Sequence, residues 1–354
     1  MDPKRLKVAI LYDIWEEDTP DPEPEPEPEK KKKVRKKGRK KKKVEKHDRE
    51  EIFEALEKLG HEPIYQVVDG RKQSLISLAR CGADVIFNLT ESYAGDDTMD
   101  MNLAGYLDLL GVPYTGSGPH GLYLAQDKAV SKKIIKFHGV RTPDFAHVYR
   151  GTLDHSHDIK FPLIVKPTSE DGSIGIDVGS VVGTVKELME RIHYIHEEFD
   201  SPVLIEEYIE GREIYGAVLG NNENAEVLPM VELDLSRLPK GTPRIAGSEV
   251  KWEKDTEAYK VTKSAPAEDL DEKTAEKLAS TAMSAFRALK LRDYARIDMR
   301  LNSKGEVYVI EANPNPWLSS NSEFYMAAKK SGRSYTDMIE TIVELARQRG
   351  RDNA

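Results

Sequence analysis

Residues 294–312 constrain the fold of this chain more than any other stretch. Residues 294–301 alternate polar and apolar side chains, Asn302-Ser303-Lys304-Gly305 supplies a turn, and residues 306–312 alternate again, so the spacing predicts a β-hairpin. Simple pairing across that turn sets Asp298 opposite Val309 and Arg296 opposite Glu311. The two-residue period then gives Arg296, Asp298, Glu311 and Asn313 one shared face. On this reading Ile297, Met299, Tyr308 and Ile310 form the apolar far side, while Val307 and Val309 floor the carboxylates. A merely solvated face, the commoner use of a charged hairpin, has no need of such a floor. Asn313-Pro314-Asn315-Pro316 ends the second strand, because proline cannot continue a ladder. Two carboxylates and an amide oxygen form an all-oxygen set suited to Mg²⁺, which binds through one or two carboxylates plus nucleotide phosphates. Arg296 stands beside them as a fixed cationic fork.

At 354 residues the chain exceeds a single core, so two or three units are expected. A single cysteine, Cys81, excludes an internal disulfide and any multi-cysteine metal site, and fits a reducing compartment. No apolar run is long enough to span a membrane, and the amino terminus leads into a short strand rather than a signal-peptide core, so a cytoplasmic location is expected. The net charge of -9 argues against general nucleic-acid binding. One local exception runs through residues 15–47, where an acidic Asp-Pro/Glu-Pro repeat is followed by the lysine/arginine block at 30–43. Neither half can build a core, so the segment reads as a disordered or partly helical insertion. It is a solvated linker, a tether for an anionic surface, or a flap over an anionic substrate.

The remaining pattern has three parts. A strand at 8–12, a helix at 49–59, a strand at 63–68, a helix at 74–79 and a strand at 83–89 give a βαβ rhythm with a parallel sheet. A helix at 99–110 and a strand running into a glycine-rich turn at 111–118 complete a unit over 1–124. From 125 to 209 the pattern is α+β: a helix at 127–137, strands at 145–149, 163–166 and 175–182, a helix at 185–199 and a strand at 203–208. The last unit, 210–354, takes strands at 213–219 and 225–231, helices at 270–289 and 335–347, and the hairpin.

Two further segments carry chemistry. Phe161-Pro162-Leu163-Ile164-Val165-Lys166-Pro167 places a lysine at the end of an apolar strand, and the Ser/Gly-containing loop at 169–175 follows. Lysine and loop together can deliver an ammonium and backbone N–H groups to phosphates, although an ordinary edge hairpin has the same pattern. Val203-Leu204-Ile205 runs into Glu206-Glu207-Tyr208-Ile209-Glu210-Gly211-Arg212-Glu213, a strand end that offers backbone groups for a purine edge and a carboxylate for ribose hydroxyls.

These segments stand in a fixed order with Pro113-Tyr114-Thr115-Gly116-Ser117-Gly118, with Asp127-Lys128 backed by Lys132 or Lys133, with Glu249-Val250-Lys251-Trp252, and with the hairpin. The ordered series resembles the ATP-grasp superfamily, most closely its D-alanine:D-alanine ligase-like branch, over nearly the whole chain outside the insertion. The resemblance implies an ATP-grasp fold: a parallel-sheet N-terminal domain followed by two α+β subdomains that enclose ATP. It places Lys128, Lys166 and Lys251 on the phosphates, with Ser173 on the loop that closes over them. Glu206, Glu207, Tyr208 and Ile209 fall at the adenine and Glu213 at the ribose, while Asp298, Glu311 and Asn313 would hold two Mg²⁺, with Mn²⁺ able to replace them. The implied reaction is ADP-forming carboxylate–amine ligation through an acyl phosphate, with Arg296 stabilising the tetrahedral oxyanion and Ser322 contacting the acceptor.

Departures from the branch fall mainly on the substrate side. Tyr12-Asp13-Ile14-Trp15 and the insertion replace a glycine-rich stretch with a glutamate, and Phe87-Asn88-Leu89-Thr90 lacks a histidine usual there. Trp252 replaces a common tyrosine, Trp317 a common glycine and Glu207 a common lysine. The expected substrates are therefore a small amino-acid-like carboxylate and an amine, and the assembly leaves room for a homodimer. The alternatives are D-alanine:D-alanine ligation for cell-wall synthesis and a non-catalytic ATP-binding module whose basic insertion recruits a polyanion.

Overall fold

Parallel pairing of three short strands sets the first part of the fold. The computed structural model describes residues 5–14, 47–150, 152–156, 158–168, 172–251, 253 and 255–352. The expectations for the charged segment at 15–46, for Ser169, Glu170 and Asp171 of the polar loop, and for Trp252 lie outside the described residues. Strand β1 (Lys7–Asp13), helix α1 (Asp48–Lys58), β2 (Glu62–Val68), α2 (Lys72–Ala79), β3 (Val85–Asn88) and α3 (Asp100–Leu110) follow the expected βαβ rhythm. The strands pair in the order β2-β1-β3, all parallel. A parallel strand is covered on both faces, which is why β1 is an almost unbroken apolar run. Val8 and Ile10 pack with Ile52 and Leu56 of α1, whereas Ala9 and Leu11 pack with Leu78 of α2 and Leu103 and Leu107 of α3. The expected strand at 111–118 is reduced to one bridge, Ile86 to Tyr114, and then α4 (Pro119–Gln126) begins. Gly116, at φ +86°, turns the chain here, and a Cβ on it would fall on Asn315 Oδ1.

The second sheet is antiparallel. Helix α5 (Lys128–Phe137) starts at Asp127, whose side chain accepts from Val130 N at 2.9 Å. Strands β4 (Phe145–Tyr149), β5 (Thr152–Ser156), β6 (Leu163–Pro167), β7 (Val181–Val182), helix α6 (Val185–Glu198) and strand β8 (Val203–Glu207) complete the unit, with sheet order β5-β4-β8-β6-β7. The strand expected at 175–182 shrinks to β7. Asp177 accepts from Gly179 N at 2.7 Å, and Ser180 Oγ accepts from Asp177 N at 3.0 Å, so local side-chain bonds replace the ladder with a turn.

The third sheet runs β12-β11-β9-β13-β14, with β10 on the side of β9. Its elements in chain order are β9 (Arg212–Leu219), β10 (Glu226–Val227), β11 (Val231–Asp234), α7 (Ser248–Lys251), α8 (Glu257–Val261), β12 (Lys263–Pro266), α9 (Glu272–Ala288), β13 (Tyr294–Leu301), β14 (Val307–Asn313), α10 (Glu323–Lys330) and α11 (Tyr335–Asp352). The single strand expected at 225–231 is split around Pro229, which has no N–H to donate. Helix α11 packs Met338, Ile339, Ile342 and Val343 into the same cluster as Val8, Ile10, Ile52 and Leu56, so the end of the chain covers one face of the first sheet. Arg349 adds a polar tie, donating to Tyr114 O at 2.6 Å and to the buried Asp293 at 2.7 Å.

The hairpin forms, but in a different register from simple pairing. Leu301 stands opposite Val307 and Met299 opposite Val309, and a bulge then shifts the pairing so that Asp298 faces Glu311 and Arg296 faces Asn313. Val307 and Val309 therefore join Ile297 and Met299 in the core, while Ile310 lines the polar side. This reverses the expected positions of the valines and of Ile310. Without the extra residue, Asp298 would face Ile310 and Glu311 would turn into the core. The bulge brings the two acids together on one face.

Candidate active site

The sheets meet at a cleft between β6 and β8 on one side and β13 and β14 on the other. Helix α5 contributes from the buried side, because Lys128 and Lys132 lie one turn apart on its inner face. Lys128 Nζ is 3.1 Å from Glu311 Oε1. Lys132 Nζ is 3.0 Å from Glu206 Oε1 and donates to Thr142 Oγ1 at 3.1 Å and Ile310 O at 2.9 Å. Lys166, at the end of β6, reaches Glu206 Oε2 at 3.1 Å. Glu206 is thus clamped between two ammonium groups and is 1% exposed. Of the two lysines expected behind Lys128, Lys132 is the buried one and Lys133 faces outward.

Across the cleft, Arg296 donates through Nε to Asp298 Oδ1 at 2.7 Å and through Nη2 to Oδ2 at 2.9 Å, a bidentate pair. Its guanidinium lies over the Tyr215 ring, 4.9 Å from the centroid. Arg300, two residues along the same face, holds Glu213 at 2.6 Å and donates to Gly211 O and Arg244 O. Burial favours neutral acids, and it pushes the carboxyl of Asp298 up against the pull of Arg296. Burial acts on Glu311 too, but the ammonium groups of Lys128, Lys166 and Lys251 outweigh it and hold that carboxyl down at about 2. Glu206 is likewise lowered, its burial outweighed by Lys132 and Lys166.

A loop closes the cleft. Ser173 sits at φ +69°, and Ser248 N donates to Ile176 O at 2.9 Å, which docks the loop on α7, the helix bearing Lys251. Arg191 of α6 braces it through Asp177, Gly175 O and Ser180. Lys128, Lys166, Ser173 and Lys251 line the cleft, as do Glu206, Glu207, Tyr208, Ile209 and Glu213. Asp298 and Glu311 line it opposite them. Arg296, Asn313 and Ser322 are not in its lining; Ser322 instead caps α10, accepting from Tyr325 N at 3.2 Å. Three residues not singled out from the sequence also belong here: Arg300 as partner of Glu213, Tyr215 beneath Arg296, and Glu323 beside it. The even spacing 296, 298, 300 on one strand was a signal for Arg300.

Burial lowers Lys132 to about 8, against 10.5 for the free side chain, even with Glu206 beside it. Between those values the unfolded chain still binds a proton that the folded chain has released, so stability rises with pH over this window. Relative to Lys132→Met, the unaltered protein is therefore expected to gain stability between pH 8 and 10.5. Urea unfolding of both proteins at the two ends of that window measures it, and an unchanged difference contradicts the assignment.

Four ammonium groups converge on one side of a pair of opposed carboxylates under a closing loop, which is the layout of a nucleoside triphosphate site. The comparisons agree. A family model described as the D-ala D-ala ligase C-terminus matches residues 131–344. An uncharacterized protein, y4sG, of Sinorhizobium fredii is 36% identical over 307 residues, covering 84% of this chain and 87% of that protein. A D-alanine–D-alanine ligase of Bordetella petrii is 34% identical over 285 residues, covering 78% and 80%. Among solved structures, the D-alanine–D-alanine ligase of Bacillus anthracis complexed with ATP matches at a TM-score of 0.72 and 22% identity, over 99% of this chain and all of that one, which establishes the fold. The chain belongs to the D-alanine–D-alanine ligase family. It has the ATP-grasp fold, and its family is one of enzymes that form carbon–nitrogen bonds.

Proposed function

We propose that this protein uses ATP to join a small amino-acid-like carboxylate to an amine, releasing ADP and phosphate. The observation that carries the reading is the convergence of Lys128, Lys166 and Lys251 on Glu311, opposite the Arg296–Asp298 pair. In this reading Lys128, Lys166 and Lys251 hold the phosphates and Ser173 closes the loop over them. Glu207, Tyr208 and Ile209 border the adenine. The Glu206 carboxylate acts by fixing Lys166, since both its oxygens already face ammonium groups. Glu213, set by Arg300, meets the ribose.

Asp298, Glu311 and Asn313 fit Mg²⁺. They are hard oxygen donors brought together by the bulge, which sets Asp298 opposite Glu311 and Arg296 opposite Asn313. Bound there, two Mg²⁺ ions would neutralise the charge on the transferring phosphoryl group. The carboxylate substrate attacks the γ-phosphoryl group to give an acyl phosphate, and the amine then displaces phosphate at the carbonyl carbon. Arg296 faces the oxyanion that develops in that second step.

D-alanine is the substrate in the names of several relatives. The sequence departures at 12–15, 87–90 and Trp317 favour a different pair here, and Trp317, 54% exposed, stands just beyond the site where an acceptor would lie. The lone Cys81 suits a cytoplasmic setting. Among the described residues no helix is long and apolar enough to cross a membrane.

Phosphate release from ATP and Mg²⁺ across a panel of amino-acid mixtures, D-alanine included, tests the reading. Release that depends on a particular mixture, with a product mass equal to the two acids less one water, is the expected result. Tight ATP binding with no release in any mixture would favour a non-catalytic module.

A further inference from the structure

We propose that Glu323 receives the ammonium group of the incoming amine substrate. The inference rests on the carboxylate–amine ligase reading, because it takes Arg296 to stand at the acyl centre. Glu323 opens α10, directly after the capping Ser322. Its Oε1 accepts from Ser264 Oγ of β12 at 2.9 Å, and its Oε2 lies 3.5 Å from Arg296 Nη1. An acid in the first turn of a helix gains from the helix dipole wherever it points outward. This one is turned inward instead, onto the arginine.

Charge matching gives the reason to look for a ligand. Asp298 already accepts from both Nε and Nη2 of Arg296, so the guanidinium is neutralised before Glu323 is counted. Within this three-residue cluster two carboxylates face one cation, and the one left outside the proposed Mg²⁺ site is the more open: the Glu323 side chain is 29% exposed, Arg296 14% and Asp298 7%. The cleft itself has the reverse balance, with Lys128, Lys132 and Lys166 facing Glu206 and Glu311. The site is thus positive where phosphates go and negative beside Arg296.

An aliphatic amine reaches the enzyme as an ammonium ion at neutral pH, and one such charge matches the surplus. Held there, the ammonium passes one proton to the Glu323 carboxylate, and the freed lone pair forms the C–N bond at the acyl phosphate carbon. The bond from that carbon to the phosphate oxygen then breaks, and the departing phosphate takes the second proton, leaving a neutral amide. Glu323 is thereby a specificity residue for cationic amines as well as their proton acceptor.

Hydroxylamine separates this role from a structural one, because it is an uncharged nucleophile at neutral pH and needs no ammonium site. The full-length protein and Glu323→Gln are supplied with ATP, Mg²⁺ and the donor panel, with either hydroxylamine or amino acids as acceptor. In Glu323→Gln, hydroxamate formation is expected to stay within about twofold, while amide formation falls at least about tenfold, chiefly through a higher KM for the amino-acid acceptor. Glu323→Asp, which keeps the charge, is expected to recover part of that loss. A parallel loss of both products would show that Glu323 acts only by steadying Arg296, and undiminished amide formation would show that it does not meet the amine; either result overturns the proposal. If the unaltered protein makes neither hydroxamate nor amide with any donor, the ligase reading itself falls, and the assignment of Glu323 with it.

Discussion

Asp298→Asn is expected to lower ligase turnover by about 10³-fold, equivalent to about 4 kcal/mol of transition-state stabilisation, while leaving the protein folded. The substitution keeps the shape of the side chain and removes one charge. It acts at two places. Arg296 loses its bidentate partner, since an asparagine offers one acceptor oxygen and turns its amide N–H₂ toward a guanidinium that can only donate. The proposed Mg²⁺ site loses one of its two carboxylates, leaving Glu311 with the Asn313 amide. Both losses bear on charge that develops during phosphoryl and acyl transfer, so the fall should appear mostly in kcat. ATP affinity should change less, because the proposed phosphate-binding lysines, Lys128, Lys166 and Lys251, are untouched. Turnover measured over a Mg²⁺ titration checks both parts: the variant should need more Mg²⁺ and still not reach the activity of the unaltered protein. A kcat within about tenfold of that protein's would remove Asp298 from the reacting centre.

That the two acids act together was legible in the sequence, although their geometry was not. Alternation along 294–301 and 306–312 gave a hairpin with one charged face, and the hairpin is there. Simple pairing nonetheless predicted the wrong partners, because a period-two pattern cannot reveal an inserted residue. The bulge next to Ile310 puts the valines on the core face while Glu311 stays beside Asp298, and burial of Val307 and Val309 is what selects it. Elsewhere, long periodic helices such as α9 and α11 were legible from their apolar spacing. The turn at Asp177–Ser180 was not, since side-chain capping decided it. Lys132 shows a further limit. A lysine in a basic run reads as solvated, and only the packing of α5 against β8 and β14 reveals that it is fully buried with a carboxylate for a partner. Glu323 was passed over for a similar reason: its neighbour Arg296 is 27 residues away along the chain, and no local pattern links them.

The Lys132–Glu206–Lys166 cluster carries the largest stability effect expected in the molecule. Glu206 is 1% exposed, Lys132 0% and Lys166 4%, so none of the three charges is well hydrated. Removing one partner of a buried pair costs about 3–5 kcal/mol, because the charge left behind has neither water nor a counter-ion. Glu206→Leu strands Lys132 and leaves Lys166 only the charge of Glu311, so it should lie within that range, a large fraction of the stability of an ordinary domain. The urea midpoint should fall with little change in slope. Adding Lys132→Met to Glu206→Leu should restore part of the loss, although it removes a further hydrogen bond to Ile310 O, because one stranded charge disappears. Alkaline pH should act in the same direction. Without Glu206 the folded chain holds the Lys132 proton still more weakly, so Glu206→Leu should regain stability as pH rises toward 10.5, the value at which the unfolded side chain also begins to release it. A loss below about 1 kcal/mol would mean that water reaches the cluster and that Glu206 does not hold Lys166 in place for the phosphates.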